Sequence, residues 1–174
     1  VDQPEEPLSS TIIIEDVRCF GNSDGSVAVN TTGGTSPYSY LWSDSSITST
    51  IENVPAGIYT VTVTDAHDCL NYTGGEVNQP DAPLEMVADI ENASCHGSSD
   101  GSIDLEVSGG TLPYTIIWDD NEFIINNELH KLNKLEAGSY NIELVDENEC
   151  SIEETYLIEQ PEEITISFQT GTVS

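Results

Sequence analysis

Apolar and polar residues alternate along most of the chain in short runs separated by turn-forming residues. Three runs of the first half place β-branched or aromatic residues at every second position: Val27, Val29 and Thr31; Tyr38, Tyr40 and Trp42; Tyr59, Val61 and Val63. A period of two with such residues is typical of half-buried β-strands. Glycine-containing turns such as Asp24-Gly25 and Gly33-Gly34 lie between the runs. This pattern predicts short antiparallel strands in an all-β sandwich.

The whole pattern occurs twice, in what we call the first copy and the second copy. The string C-F-G-N-S-D-G-S from Cys19 returns as C-H-G-S-S-D-G-S from Cys95, an offset of 76 residues. Cys69 returns as Cys150 at an offset of 81 residues, so the second copy carries an insertion of five residues, which we place between positions 118 and 135. A weak helical period over residues 128–135 is the only helical signal in the sequence.

Gln-Pro dipeptides at positions 3, 79 and 160 mark the boundaries of the copies. Each copy is expected to be a small antiparallel β-sandwich of immunoglobulin-like architecture, and the two are expected to follow one another in tandem. The chain then reads as a piece of a longer array. The expected division is a linker over residues 1–7, a first repeat over 8–80, a second repeat over 81–161 and the truncated start of a third repeat over 162–174.

Each copy contains two cysteines, and the four cysteines permit three pairings. Because identical units are expected to close identically, the repeat predicts one disulfide between Cys19 and Cys69 and another between Cys95 and Cys150. Such disulfides form in oxidising compartments, which favours an extracellular location. The alternatives are four free thiols or a zinc site, and zinc is less favoured because no C-x-x-C pair exists.

The chain is strongly acidic, with 32 Asp and Glu residues against 3 Lys and Arg residues and a formal net charge of −29. A protein that binds nucleic acid places cations against the phosphates, so the charge excludes that partner. The charge also excludes an anionic membrane surface. No stretch approaches the roughly 18 consecutive apolar residues of a membrane-spanning helix, so direct membrane insertion is not expected. We expect a monomeric fragment.

Three ordered motifs, C-x-G-x-S-D-G-S, G-G-T-x-P-Y and A-G-x-Y-x-V-x-V-x-D-x-x-x-C, together resemble the SprB repeat of bacterial cell-surface gliding adhesins. The resemblance holds for both copies and covers nearly the whole chain. In that family the repeats are strung along very large filamentous proteins on the outer surface of gliding Bacteroidetes. The family usually has Asn-Gly before the second cysteine, where this chain has His67-Asp68 and Asn148-Glu149.

The resemblance implies a function outside the cell. The chain would be a structural, force-bearing spacer in an adhesin that serves gliding motility and surface attachment, with neighbouring repeats as its partners. The alternative is an extracellular binding module for polysaccharide or a surface protein, dependent on Ca²⁺ or not. The sequence contains no nucleophile elbow, phosphate-binding glycine loop or shared histidine motif, so we do not expect an enzyme.

Calcium is the one cofactor for which the sequence offers ligands. If Cys19 is bonded to Cys69, loop carboxylates of the first copy come to the same end of the sandwich, and carboxylate oxygens are the ligands that Ca²⁺ prefers. The simpler interpretation is that Asp24-Gly25 and its copy are hairpin turns without an ion. The candidate ligands are Asp24, Asp65 and Asp68 in the first copy and Asp100, Asp146 and Glu149 in the second.

Two further features could contact a ligand. The aromatic run Tyr38, Tyr40 and Trp42 could stack on sugar rings, but Ile116 holds the middle position in the second copy, which favours packing in a core. The insertion is the one feature that is not repeated, and its alternative interpretation is a longer hairpin without a partner. The candidate contact residues of the insertion are Phe123, Ile124, Lys131 and Lys134.

Overall fold

The computed structural model describes residues 6–119, 121–126 and 129–167. The chain divides into two compact units. Unit 1 comprises Val1–Leu84 together with Gly109–Thr111 and Asn148–Cys150, and unit 2 comprises Glu85–Ser108, Leu112–Glu147 and Ser151–Ser174. No helix able to span a membrane occurs among the described residues.

Unit 1 contains six strands in two antiparallel three-stranded sheets. The sheets have the strand orders β1-β2-β4 and β3-β5-β6. The strands are β1 (Ser9–Glu15), β2 (Gly25–Thr32), β3 (Ser39–Trp42), β4 (Thr50–Val54), β5 (Gly57–Thr64) and β6 (Leu70–Val77).

The inward residues of both sheets form the core of unit 1. Val27 of β2 and Val63 of β5 are fully buried and belong to one apolar cluster, which also contains Trp42. Burial alternates along β2 and β5 as the sequence pattern predicts, because successive side chains of a strand point to opposite faces. Burying each such valine contributes about 1.5–3 kcal/mol relative to leaving it exposed.

Unit 2 has the same two-sheet plan with one additional strand. The order of one sheet is β11-β8-β7, and the order of the other is β10-β9-β12-β13. Its strands are β7 (Glu85–Glu91), β8 (Gly101–Ser108), β9 (Tyr114–Trp118), β10 (Asn121–Ile125), β11 (Leu129–Leu135), β12 (Gly138–Val145) and β13 (Ser151–Ile158).

The insertion of the second copy accounts for the additional strand. It forms β10, which pairs with β9 as a hairpin in which Phe123 lies opposite Ile116. The weak helical period over residues 128–135 is therefore wrong, because Leu129–Leu135 is strand β11. Leu132 and Leu135 of β11 are buried, and β11 pairs with β8 along one of its two edges.

The fold class predicted from the sequence is confirmed: the described residues form an all-β chain with two antiparallel sandwich repeats. The predicted third repeat over 162–174 falls partly on residues 168–174, which lie outside the described residues. Residues 162–167 are described and belong to no strand.

The two cysteines of the first copy lie at opposite ends of their sandwich. Cys19 is in the loop between β1 and β2, and Val17 of that loop donates its backbone N–H to the carbonyl oxygen of Asn78, just beyond β6, at 2.9 Å. Cys69 is in the turn that begins β6. An eight-residue strand spans about 23 Å, whereas the Cα atoms of a disulfide lie within about 7 Å.

Candidate functional site

The loop that carries Cys19, which we call the first-cysteine loop of the first copy, is held by backbone and side-chain hydrogen bonds. Asn22 donates its N–H to the Cys19 carbonyl oxygen at 3.0 Å, and Gly21 donates its N–H to Oε1 of Gln79 at 2.9 Å. Gly21 has a φ of 78°, a conformation that glycine adopts without steric cost. Asp24 Oδ1 accepts the backbone N–H of Arg18 at 3.3 Å.

The first-cysteine loop of the second copy repeats this arrangement around Cys95. Ser98 donates its N–H to the Cys95 carbonyl oxygen at 3.1 Å, and Gly97, with a φ of 72°, donates its N–H to Oε1 of Gln160 at 2.7 Å. Gln79 and Gln160, the glutamines of two Gln-Pro dipeptides, therefore each hold the first-cysteine loop of their own copy. The recurrence of Gln-Pro in the sequence marks the boundary of a copy but does not by itself predict this hydrogen bond.

Asp100 supplies the carboxylate of this loop, and its pKa is lowered by hydrogen bonds. Its carboxylate accepts hydrogen bonds from the hydroxyl groups of Ser94 and Ser98, both at 2.5 Å, and from the backbone N–H of Ser94 at 3.0 Å. The Ser94 hydroxyl first, and then the Ser98 hydroxyl, lower the pKa of Asp100 to about 2. Hydrogen bonds to a carboxylate stabilise its ionised form.

The turn between β5 and β6, which we call the second-cysteine turn of the first copy, is built on Asp65. Its side chain is 4% exposed and accepts three backbone N–H groups: those of His67 at 2.8 Å, Cys69 at 2.9 Å and Thr35 at 2.9 Å. The bond from Cys69 is the largest cause that lowers the pKa of Asp65, and burial acts in the opposite direction. The charge of Asp65 in turn raises the pKa of the Cys69 thiol.

The second-cysteine turn of the second copy has the same position between its strands. Asp146, which is buried, follows β12, and Cys150 precedes β13. Glu149 has a φ of 65° and its counterpart Asp68 a φ of 62°. These are left-handed conformations in which glycine or asparagine is more common.

The structure contains the disulfide Cys19–Cys150, with Cα atoms 5.7 Å apart and a sequence separation of 131. Cys69 and Cys95 are free and exposed. The predicted pairs Cys19–Cys69 and Cys95–Cys150 are therefore wrong. The reason is the one given above: in the first copy the two cysteine-bearing loops are separated by the length of a β-strand.

Two polar contacts accompany the disulfide. Asn148 donates its Nδ2 group to the carbonyl oxygen of Arg18 at 3.1 Å. The guanidinium Nη1 of Arg18 lies 3.9 Å from Oε2 of Glu149. Both groups of the ion pair are exposed, so screening by water makes its contribution to the stability of the fold small.

The predicted calcium ligands do not converge. Asp24 lies in the first-cysteine loop, where Arg18 is its partner, and Asp65 and Asp68 lie at the other end of the sandwich. Both carboxylate oxygens of Asp65 already accept backbone N–H groups, and a cation would need these same oxygens as ligands. Among the residues the structure describes, no group of three or more His, Cys, Asp or Glu side chains could hold a metal ion. The geometry gives the calcium hypothesis no support.

The aromatic run of the first copy belongs to the core. Trp42 is 2% exposed and donates its Nε1–H to the carbonyl oxygen of Thr48 at 2.7 Å. Tyr38 and Tyr40 are partly buried and pack against the same core cluster. This confirms the interpretation of the run as core packing rather than as a platform for sugar rings.

The candidate contact residues of the insertion do not form a common site. Phe123 and Ile124 lie on β10, and Ile124 is exposed. Lys131 lies on β11 in the other sheet, where its Nζ atom is 2.6 Å from Oδ2 of Asp104, and this hydrogen bond raises the pKa of Lys131. Lys134 is exposed and has a φ of 61° at the register shift of β11.

Two antiparallel β-sandwiches in tandem define the class of protein: a tandem immunoglobulin-like repeat module. The chain is similar to an I-band fragment of titin, with a TM-score of 0.50 and 12% sequence identity over 92% of this chain and 66% of that one. It is also similar to the N-terminal eight Ig domains of Down Syndrome Cell Adhesion Molecule, with a TM-score of 0.44 and 14% identity over 89% of this chain and 25% of that one. At 12% identity the titin fragment shows the fold alone.

The sequence profile of the SprB repeat matches residues 11–46 and 87–123. One matched segment lies in each copy, so both copies are similar to the SprB repeat. No curated protein sequence matches the chain.

Proposed function

We propose that the chain is a force-bearing spacer of a large filamentous adhesin, displayed outside the cell and serving gliding motility and surface attachment. The observation that carries the proposal is the Cys19–Cys150 disulfide, which closes a loop with a sequence separation of 131. Tension applied through the two ends of the chain passes across this bond. Residues 20–149 are then bypassed by the covalent path that carries the load.

The size of the bypassed segment makes the effect large. A separation of 131 residues corresponds to about 430 Å of extended chain. That length is withheld while the disulfide is intact, even when both sandwiches unfold. A spacer of this kind transmits a pulling force without lengthening much, which is what an adhesin under a moving cell requires.

The disulfide also supports the extracellular part of the proposal. Disulfides persist in oxidising compartments and are rare where glutathione keeps thiols reduced. The chain-entropy description gives a loop of this size about 5 kcal/mol of stabilisation through the unfolded state. The net charge of −29 adds solubility, since like-charged chains repel one another at short range.

Single-molecule stretching between the two chain termini tests the proposal. With the disulfide intact, complete unfolding is expected to release only the segments outside the loop, about 140 Å of contour length. With a reductant, or with the variant Cys19→Ser/Cys150→Ser, we expect an additional length of about 430 Å. The matched control is Cys69→Ser/Cys95→Ser, which removes the free thiols and is expected to behave as the unchanged chain. Equal extensions with and without reductant would contradict a force-bypassing bond.

A second candidate function, binding of a neutral polysaccharide, is favoured by the outer face of the sheet β3-β5-β6. Tyr72, 69% exposed, lies opposite Thr62 in register, and Leu41 beside them is 56% exposed. A groove on this face is lined by these residues together with Thr60. An aromatic ring among hydroxyl groups suits the stacking and hydrogen bonding of a sugar.

The second copy lacks this surface and so provides an internal comparison. Its residues Glu143 and Glu153 pair in register where the first copy pairs Thr62 with Tyr72. Retention of the chain on neutral polysaccharide beads that is lost in Tyr72→Ala is expected if this face binds. Val87→Ala removes an exposed apolar side chain from β7 and serves as the control. Retention that is equal in both variants, or absent in the unchanged chain, would refute this second function.

A further inference from the structure

The two free cysteines are the sequence counterparts of the two bonded ones. Cys95 corresponds to Cys19, and Cys69 corresponds to Cys150. We propose that Cys95 forms a disulfide with the second cysteine of the SprB repeat that follows it in a longer chain. In the same way, Cys69 forms a disulfide with the first cysteine of the repeat that precedes it. Each repeat would then be bonded to the next along the array.

The loop that carries Cys95 has the same conformation and hydrogen bonds as the loop that carries Cys19. In both loops the residue three positions after the cysteine donates its N–H to the cysteine carbonyl oxygen, at 3.0 Å in the first copy and 3.1 Å in the second. In both, the glycine two positions after the cysteine has a positive φ and donates its N–H to the boundary glutamine. The loop at Cys95 is therefore already in the conformation that the bonded loop has.

Cys69 likewise occupies the position that Cys150 occupies. The flanking strands pair up to the same point, with Thr64 opposite Leu70 in one turn and Val145 opposite Ser151 in the other. The residue before each cysteine has a positive φ of 62° or 65°. The bonded cysteines are half-buried and the free ones are exposed, so the free thiols are accessible to a partner.

The spacing along the chain is also the same. If the Gln-Pro dipeptide at 160 is followed by a repeat like the first copy, 66 residues lie from Cys95 to Pro161 and 65 from Pro4 to the next Cys69. The separation is then 131 residues, equal to that of Cys19 and Cys150. Gln79 and Gln160 also occupy equivalent positions in the structure, because each accepts a hydrogen bond from the first-cysteine loop of its own copy.

The bond forms by thiol–disulfide exchange with a small disulfide oxidant such as oxidised glutathione. The two thiols lose two protons and two electrons, one S–S bond forms, and the oxidant is reduced to two thiols. The neighbouring Asp65 carboxylate disfavours the Cys69 thiolate, which slows oxidation of that thiol before its partner arrives.

If each repeat is bonded to the next, the disulfide loops of successive repeats overlap along the chain. The loop separation of 131 exceeds the repeat offsets of 76 and 81, so successive loops overlap. Every residue of an interior repeat then lies inside at least one disulfide loop. The inference requires only that repeats follow one another; it does not depend on the force-bearing function proposed above.

The test uses a concatenated chain in which residues 1–161 are followed by residues 5–174 of a second copy of the protein. This places the Gln-Pro at 160 where the Gln-Pro at 3 normally stands and gives eight cysteines. After oxidation in dilute glutathione buffer, free thiols are counted by alkylation and intact mass on the monomeric, folded fraction. Non-reduced peptide mapping identifies the bonds.

The proposal predicts two free thiols, the Cys69 of the leading part and the Cys95 of the trailing part, and a peptide that links the leading Cys95 to the trailing Cys69. The variant Cys95→Ser in the leading part is expected to raise the count to three. Four free thiols in the unchanged concatemer would mean that the junction does not bond. No free thiols would mean pairing within repeats or between Cys69 and Cys95. Either result overturns the proposal.

A second measurement applies if the concatemer does not fold. Equal amounts of the Cys69→Ser chain and the Cys95→Ser chain are mixed in the same redox buffer. The proposal predicts a heterodimer through Cys95 and Cys69 in excess over both homodimers. A statistical mixture of the three dimers, or no dimer at all, would overturn it. Neither readout involves force, so a failure of the stretching experiment leaves this inference separately testable.

Discussion

Gln79 Oε1 accepts the backbone N–H of Gly21 at 2.9 Å, across 58 positions of sequence. Gln160 makes the equivalent bond to Gly97 at 2.7 Å in the second copy. The glutamine of the Gln-Pro dipeptide at the end of each repeat therefore holds the loop that carries the first cysteine. The hydrogen bond from Gly21 to Gln79 therefore connects the end of the first repeat to the loop that carries the disulfide-bonded Cys19.

Gln79→Ala is expected to loosen the loop around Cys19. Losing one hydrogen bond costs about 1 kcal/mol in the free energy of unfolding, and the more mobile loop exposes the Cys19–Cys150 bond to attack. We expect dithiothreitol to reduce this disulfide several-fold faster, measured by quenched alkylation and mass. Gln160→Ala, which affects only the loop of the free Cys95, is the matched control and should leave the rate unchanged. Equal rates in all three chains would show that Gln79 does not hold the loop.

Much of the fold follows from the sequence because strand alternation is a local signal. The run Val27, Val29 and the run Tyr59, Val61 alternate in burial as their period of two predicts. The core position of Trp42 also followed, because its counterpart run contains Ile116. The insertion adds the strand β10, which pairs with β9 as a hairpin.

The disulfide pairing could not be predicted from the repeat. The repeat indicates that the two copies are alike, but it does not indicate at which end of the sandwich each cysteine lies. We assumed that each copy closes on itself, and the calcium hypothesis for Asp24 and Asp65 depended on that assumption. A length argument would have corrected it: the eight-residue strand β6 begins after Cys69 and ends beside the loop of Cys19. No strand of that length brings its two ends together.

Asp65→Asn is expected to lower the melting temperature of unit 1 by several degrees. The asparagine retains one acceptor oxygen, whereas Asp65 uses both oxygens for the N–H groups of Thr35, His67 and Cys69. Thermal unfolding followed by circular dichroism measures the change. Asp68→Asn is the control, since Asp68 is exposed and asparagine tolerates its positive φ. Equal melting temperatures for the two variants would contradict the role given to Asp65.

The stability contributed by Asp100 should depend on pH in a defined direction. Its pKa is lowered from 3.8 to about 2 in the folded protein, first by the Ser94 hydroxyl. A lowered pKa means that the contribution is present above the unfolded-state pKa and is lost as pH falls from about 3.8 towards 2. The difference in melting temperature between the unchanged chain and Asp100→Asn should therefore be constant above about pH 5 and shrink below it.

The serines provide the control for this dependence. Ser94→Ala/Ser98→Ala removes the hydroxyl donors while keeping the carboxylate, and it should remove most of the same pH-dependent increment. A difference between the unchanged chain and Asp100→Asn that stays the same from pH 5 to pH 2 would show that these hydrogen bonds do not stabilise the ionised form.

Asp68→Gly should raise the melting temperature by a few degrees. Asp68 has a φ of 62°, where the side chain of an L-residue is strained and glycine is not. The gain is partly offset by the larger entropy of glycine in the unfolded chain. Asp44→Gly, at a position without a positive φ, is the comparison and should lower the melting temperature. A fall for both variants would mean that the turn does not strain Asp68.

The central claim is that the first cysteine of one repeat is bonded to the second cysteine of the next. Non-reduced peptide mapping of the oxidised 174-residue chain tests it most directly. The expected result is one linked peptide pair, containing Cys19 and Cys150, with Cys69 and Cys95 recovered as alkylated thiols. Linked peptides that join Cys19 to Cys69 and Cys95 to Cys150 would contradict the claim.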